Sequence, residues 1–212
     1  MKTDIILSGV GGQGILSIAA IIGEAALAEN LYIKQAEVHG MSQRGGDVQS
    51  NLRIADRPIN SDLIASGSAD VIISLEPMEA LRYLPYLSQE GWIITSSAPF
   101  VNIPNYPDEQ ILKAELQKLP RVIMLDVNEL AKEHNLPKCA NVILLGAAAK
   151  SLQIIGYSDL EKSIARVFAN KGQAVIEMNL KALSIGYNAV QKVYKDDETP
   201  NIQYRSRRRY RP

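Results

Sequence analysis

The sequence has little of what metal and thiol chemistry needs. It holds one cysteine and two histidines among 212 residues, and a single thiol forms neither an internal disulfide nor a cysteine-ligated iron–sulfur site. The chain is therefore expected to carry no cluster of its own. His39 and His134 are isolated from each other, and no metal-ligand spacing or two-carboxylate acid/base pair is evident. Neither sign of charge is in excess, with 23 basic against 23 acidic residues, which removes any global pull toward nucleic acid or membrane. Long hydrophobic runs are missing too. The most apolar stretch, residues 15–28, is interrupted by Ser17, Gly23 and Glu24 and falls short of the roughly 18 to 20 residues of a membrane span. Met1-Lys2-Thr3-Asp4 passes straight into strand-like sequence without leader, apolar core and cleavage site, so a cytoplasmic protein is expected. No internal repeat or low-complexity block is evident.

What is present begins with Gly9-Val10-Gly11-Gly12-Gln13-Gly14, between the apolar run Ile5-Ile6-Leu7 and Ile15-Leu16-Ser17-Ile18. This spacing predicts a strand, a glycine turn and a helix. The first backbone N–H groups of such a helix point outward with the positive end of its dipole and can hold a phosphate or carboxylate. Glycines at 9, 11 and 14 allow a tight turn, a close ligand and close helix–strand packing. The same spacing also suits a turn that serves packing alone. A nicotinamide-dinucleotide site further wants an acidic residue at the end of the second strand, about 20 residues on. Only Glu37 is offered, late and next to another loop, so that ligand is disfavoured.

The residues 39–47 form a second candidate, a loop in which Arg44 stands among Gly40, Gly45 and Gly46. An arginine there could present its planar fork of donors to a carboxylate or phosphate, or close an internal salt bridge. Residues 48–54 alternate as a strand whose polar face carries Asn51 and Arg53, and residues 70–75 read as a parallel strand covered on both sides. Glu76-Pro77 follows at once. Pro77 suits the first turn of a helix, and Glu76 falls at the sheet edge where α/β proteins gather ligands, as a site residue or as a helix cap.

Further strands are expected at 91–95 and 121–125, and helices at 15–30, 77–84, 111–119 and 127–134, the last capped by Asp126. Beyond residue 141 the pattern is helical only, over 142–154, 158–168 with Ser158 and Glu161 as a capping box, and 173–194. The fold expected is a Rossmann-like α/β three-layer sandwich with a mostly parallel sheet and a helical C-terminal layer, one domain over 1–195 followed by a disordered Arg-rich tail at 196–212. That tail carries Arg205, Arg207, Arg208, Arg209 and Arg211 with Tyr204 and Tyr210 interleaved; a solvated tail or a partner contact outweighs RNA binding. Cys139, five residues after His134, is open to two readings, a small core residue or a Cys/His nucleophile.

Taken in order, Gly9-Val10-Gly11-Gly12-Gln13-Gly14, the His39-Gly40-Met41-Ser42-Gln43-Arg44-Gly45-Gly46 loop, Ala69-Asp70 before Leu75-Glu76-Pro77, Asn141 before Leu145-Gly146, and Glu177-Met178-Asn179-Leu180 resemble the gamma-domain family of 2-oxoacid:ferredoxin oxidoreductases. The loop is most similar to that of the separately encoded beta subunits of the indolepyruvate enzymes. The resemblance implies a subunit of an enzyme that oxidatively decarboxylates an aryl 2-oxo acid with coenzyme A, giving an acyl-CoA, CO2 and reduced ferredoxin. Thiamine diphosphate and the iron–sulfur clusters are then expected on a large catalytic alpha subunit, with ferredoxin met through the complex and the isolated chain inactive.

No catalytic or metal-binding residue is expected on this chain. Gly9, Gly11, Gly12, Gln13, Gly14, Arg44, Gly45, Gly46 and Glu76 are the candidate binding residues, for coenzyme A or for the face that docks on the partner. A free-standing NAD- or nucleotide-binding protein and a purely structural subunit remain the alternatives.

Overall fold

The computed structural model describes residues 1–39, 46–101 and 103–191. Its first strand, β1 (Lys2–Val10), is buried on both faces from Thr3 onward. The glycine turn leads into α1 (Ile15–Ala28), then β2 (Tyr32–His39) and β3 (Asp47–Ala55) return along the sheet. There follow β4 (Ala69–Ser74), α2 (Pro77–Arg82), β5 (Leu87–Ser96), α3 (Glu109–Gln117), β6 (Val122–Leu125) and α4 (Val127–Glu133). The chain closes with α5 (Ala140–Ala148), α6 (Tyr157–Val167) and α7 (Gln173–Ala189).

The strands form one sheet in the order β2-β3-β1-β4-β5-β6. β1, β4, β5 and β6 run parallel, while β3 lies antiparallel to both β1 and β2. Alternation along the strands divides the core in two. Ile5, Leu7, Val71, Ile73 and Ile94 face the larger cluster with residues of α1, α4, α5, α6 and α7. Ile6, Ile72 and Ile93 face the smaller one with Ala80 of α2 and Leu116 of α3. The expected three-layer α/β sandwich and its helical C-terminal layer are both present.

Local chemistry moves several of the expected boundaries. α1 and α4 end in left-handed asparagines, Asn30 and Asn135. Leu31 donates back to the Ala26 carbonyl, and Leu136 to that of Ala131, so each helix stops in a Schellman turn. α2 is shorter than expected because Leu84 precedes Pro85, which disfavours the α conformation, and a 3-10 turn, Leu84–Tyr86, replaces it. α6 starts earlier than its expected capping box. Asp159 accepts from the Gly156 N–H at 3.1 Å, making Gly156 the N-cap in place of Ser158.

α5 and α7 meet backbone to backbone. A Cβ on Gly146 would lie 2.1 Å from the Leu183 carbonyl oxygen, and one on Gly186 1.8 Å from that of Ile143, so the crossing tolerates no side chain at either position. Among the described residues no helix is long and apolar enough to cross a membrane.

Candidate functional site at the end of the first strand

The helix after β1 packs on one face of the sheet and the helix after β4 on the other. β1 and β4 are neighbours, so the chain leaves their C-terminal ends in opposite directions. That arrangement opens a crevice between them, the place where open α/β sheets take ligands. The Gly9-to-Gly14 turn forms one wall and Leu75-Glu76 starts the other.

The turn braces itself. The Gln13 side chain accepts from the Val10 N–H at 2.7 Å and donates to the Leu75 carbonyl at 3.1 Å. The Gly11 N–H donates to the Gly46 carbonyl at 2.9 Å, which ties Gly46, just before β3, to the turn and leaves this amide already engaged. A Cβ on Gly9 would meet the Gln13 side-chain oxygen at 2.8 Å and Ile15 at 2.9 Å. Gly14, at φ 89°, is the N-cap of α1, and a Cβ there would meet the Asn141 amide nitrogen at 2.6 Å. Gly12, at φ 99°, faces open space.

α1 has no side-chain cap and no acidic residue in its first turn; the Ser17 N–H is given to the Gly14 carbonyl at 3.1 Å, which leaves the N–H groups of Ile15 and Leu16 as the ones a ligand could take. The turn and the start of α1 border a cleft of about 420 Å³ lined by Gly12, Gly14, Ser17, Asn128, Lys138 and Asn141 among others, with one cation and no carboxylate among the described residues. Asn141 comes from the first turn of α5 and donates to the Gly14 carbonyl at 3.1 Å, which joins the C-terminal helical layer to the turn. The arrangement suits an anion whose oxygens accept from backbone N–H groups on one side and from an ammonium on the other.

Gly46 abuts the turn, whereas Arg44 and Gly45 fall outside the described residues. Glu76 is fully buried and caps α2, its Oε2 accepting from the Glu79 N–H at 2.8 Å; its Oε1 accepts from the Tyr106 hydroxyl and, at 3.4 Å, from the Phe100 N–H. Burial and the bond to Glu76 push the Tyr106 hydroxyl well above its ordinary pKa. Cys139 is buried at the N-cap of α5, and burial pushes its thiol up, which fits a core residue rather than an activated nucleophile. Glu37 sits on β2, separated from β1 by β3. Two strand spacings of about 4.8 Å put it beyond the reach a ribose contact needs.

Sequence reasoning passed over two residues here. Lys138 immediately precedes Cys139, the N-cap of α5, where a cation opposes the helix dipole; that placement was the readable signal. Tyr106 gave no signal, because its partner is 30 residues away. Among the described residues no group of three or more His, Cys, Asp or Glu is placed to hold a metal ion.

Residues 4–189 match the family described as pyruvate ferredoxin/flavodoxin oxidoreductase. The chain is 36% identical over 196 residues to the indolepyruvate oxidoreductase subunit IorB of Archaeoglobus fulgidus, covering 89% of this chain and 95% of the relative. Among solved structures it is similar to the pyruvate oxidoreductase subunit PORC of Thermotoga maritima, with a TM-score of 0.68, 22% identity and coverage of 88% and 96%. It is also similar to the 2-oxoglutarate:ferredoxin oxidoreductase of Magnetococcus marinus, solved with 2-oxoglutarate, coenzyme A and succinyl-CoA bound, with a TM-score of 0.69 and 20% identity; there it covers 91% of this chain but 31% of the other. With the family's fold built over nearly its whole length, the chain belongs to the pyruvate ferredoxin/flavodoxin oxidoreductase family.

Proposed function

We propose that this chain is the small subunit of a 2-oxoacid:ferredoxin oxidoreductase of the indolepyruvate type, working in the cytoplasm beside a larger catalytic subunit that holds thiamine diphosphate and the iron–sulfur clusters. The similarity to IorB along 95% of that relative supports the indolepyruvate assignment. A single cysteine, Cys139, buried and with its thiol pushed up by burial, supports leaving cysteine-ligated clusters to the partner.

The observation that carries the ligand reading is that the start of α1, without a side-chain cap, and Lys138 line one cleft that has no carboxylate among the described residues. Coenzyme A is a polyanion, and when bound it supplies the thiol that accepts the acyl group. The N–H groups at the start of α1 and the Lys138 ammonium hold a phosphate of it, while Gln13 and Asn141 keep the turn in shape. Arg44, two residues before Gly46 in sequence, is the second cation that this reading assigns to the ligand. The cleft receives part of the ligand, and the partner subunit completes the rest.

Calorimetric titration of coenzyme A into the isolated chain and into the reconstituted complex tests this reading. Lys138→Ala is expected to weaken binding to the complex roughly tenfold, the ~1.4 kcal/mol of one hydrogen bond to a charged group, and Arg44→Ala by a similar factor. Unchanged affinity in both variants would sink the ligand reading. It would leave the same rim as a docking face, a reading that Leu16, 44% exposed in the first turn of α1, favours.

A further inference from the structure

Glu76 does more than cap a helix. A buried carboxylate costs several kcal/mol unless its lone pairs are used, and here the two oxygens serve different elements. Oε2 belongs to α2, through the Glu79 N–H. Oε1 belongs to the loop between β5 and α3, through the Tyr106 hydroxyl and the Phe100 N–H. Pro77 at the first helical position leaves Glu76 extended, at φ −145° and ψ 127°, so one side chain can address both.

The loop so held is apolar on its outside, with Phe100 44%, Val101 70% and Ile103 37% exposed. On its other side Glu76 continues toward the crevice. The Leu75 carbonyl, in the peptide that joins Leu75 to Glu76, accepts from the Gln13 amide, and Gln13 in turn accepts from the Val10 N–H. Hydrogen bonds at Val10, Gln13 and Tyr106, joined through the covalent 75–76 peptide and the Glu76 side chain, therefore link the glycine turn to the rim loop.

We propose that Glu76 is a latch that couples the rim loop between β5 and α3 to the glycine turn, so that releasing the loop loosens the turn and disturbing the turn loosens the loop. This coupling is a property of the free chain and does not depend on which ligand the crevice takes. By linkage it acts equally in both directions. A partner pressing on Phe100 and Val101 would thereby adjust the shape of the turn, and a ligand at the turn would adjust the rim.

Hydrogen exchange on the full chain, read by mass spectrometry, tests the latch. Tyr106→Phe removes the bond to Oε1 and leaves the α2 cap intact. Exchange in residues 97–107 is expected to rise roughly tenfold, as for loss of a hydrogen bond to a charged group, with a smaller rise in residues 8–14 and none in β4 or α2. Gln13→Met, made from the other end of the path, is expected to raise exchange in 97–107. Wild-type rates in 97–107 for Tyr106→Phe overturn the latch. A loosened loop with residues 8–14 unchanged, or a Gln13→Met variant without effect on 97–107, overturns the coupling. Since β4 and α2 exchange in the same sample, a variant that merely unfolds raises all segments together, which also counts against the latch.

Discussion

The Asn141 side-chain amide donates to the Gly14 carbonyl at 3.1 Å, bridging 127 residues of sequence. The bond fixes where the helical layer sits relative to the crevice, and it explains why Gly14 has no room for a side chain. Gly14→Ala sets a Cβ 2.6 Å from the Asn141 nitrogen at φ 89°, and is expected to cost about 3 kcal/mol from strain and the displaced bond together. Gly12→Ala, at φ 99° with nothing near its Cβ, is expected to cost about 1 kcal/mol, the strain alone. Urea unfolding of the two variants and of Gly14→Ala combined with Asn141→Ala checks the account, since the double variant should recover the part due to the clash.

The crossing of α5 and α7 gives a sterner expectation. In Gly146→Ala and Gly186→Ala the new methyl meets a backbone carbonyl, at 2.1 and 1.8 Å, and no rotamer change relieves it. Each is expected to destabilise the chain by at least about 3 kcal/mol, the upper range of overpacking. The melting temperature should fall accordingly, and near-wild-type stability in either variant would show that the helices separate without loss.

Two buried carboxylates are expected to shape the pH dependence with opposite signs. Burial alone would raise the Asp4 carboxyl, but hydrogen bonds and charges from Arg53 and Lys2 outweigh it and hold the group below the ordinary 3.8. Its folded form therefore releases the proton more readily than the unfolded chain does, and its contribution is full above pH 3.8 and lost as pH falls through the folded value. Burial raises the Glu79 carboxyl above 4.5 in spite of Arg82. Its contribution is present below that value and lost as pH rises through the folded one. Stability measured against pH should lose part of its acid limb in Asp4→Asn and, as pH rises above 4.5, gain in Glu79→Gln relative to wild type. Arg53→Ala removes one of the two cations on Asp4, at 2.8 Å, and leaves Lys2 at 2.6 Å, so it is expected to cost about 2 kcal/mol at neutral pH, the loss of hydrogen bonds to a charged group rather than of all pairing.

Much of this molecule was readable along the chain, because each strand–turn–helix unit announces itself locally. The apolar runs of β1 and β4, Pro77 after Glu76 and the cap at Asp126 needed no distant information. What the sequence concealed is long-range pairing. Asn51 and Arg53 do share a polar face, but residues 61–64 and β1 cover part of it: Asn51 accepts from the Ile64 N–H, and Arg53 binds Asp4 and the carbonyls of Ser61 and Leu63. The insertion of β3 between β2 and β1, which carries Glu37 away from the crevice, was equally invisible in local periodicity. At the site, the turn was legible from its glycines, whereas Lys138 and Tyr106 reach it only through the tertiary fold.

The most direct test of the assignment is reconstitution. The large cysteine-rich partner is to be identified by co-purification from the native cell, and the two chains combined and assayed for reduction of ferredoxin with an aryl 2-oxo acid and coenzyme A. The account predicts reduction that requires both chains, with neither active alone. A partner fully active without this chain, or this chain recovered alone with a nicotinamide nucleotide bound, would contradict it.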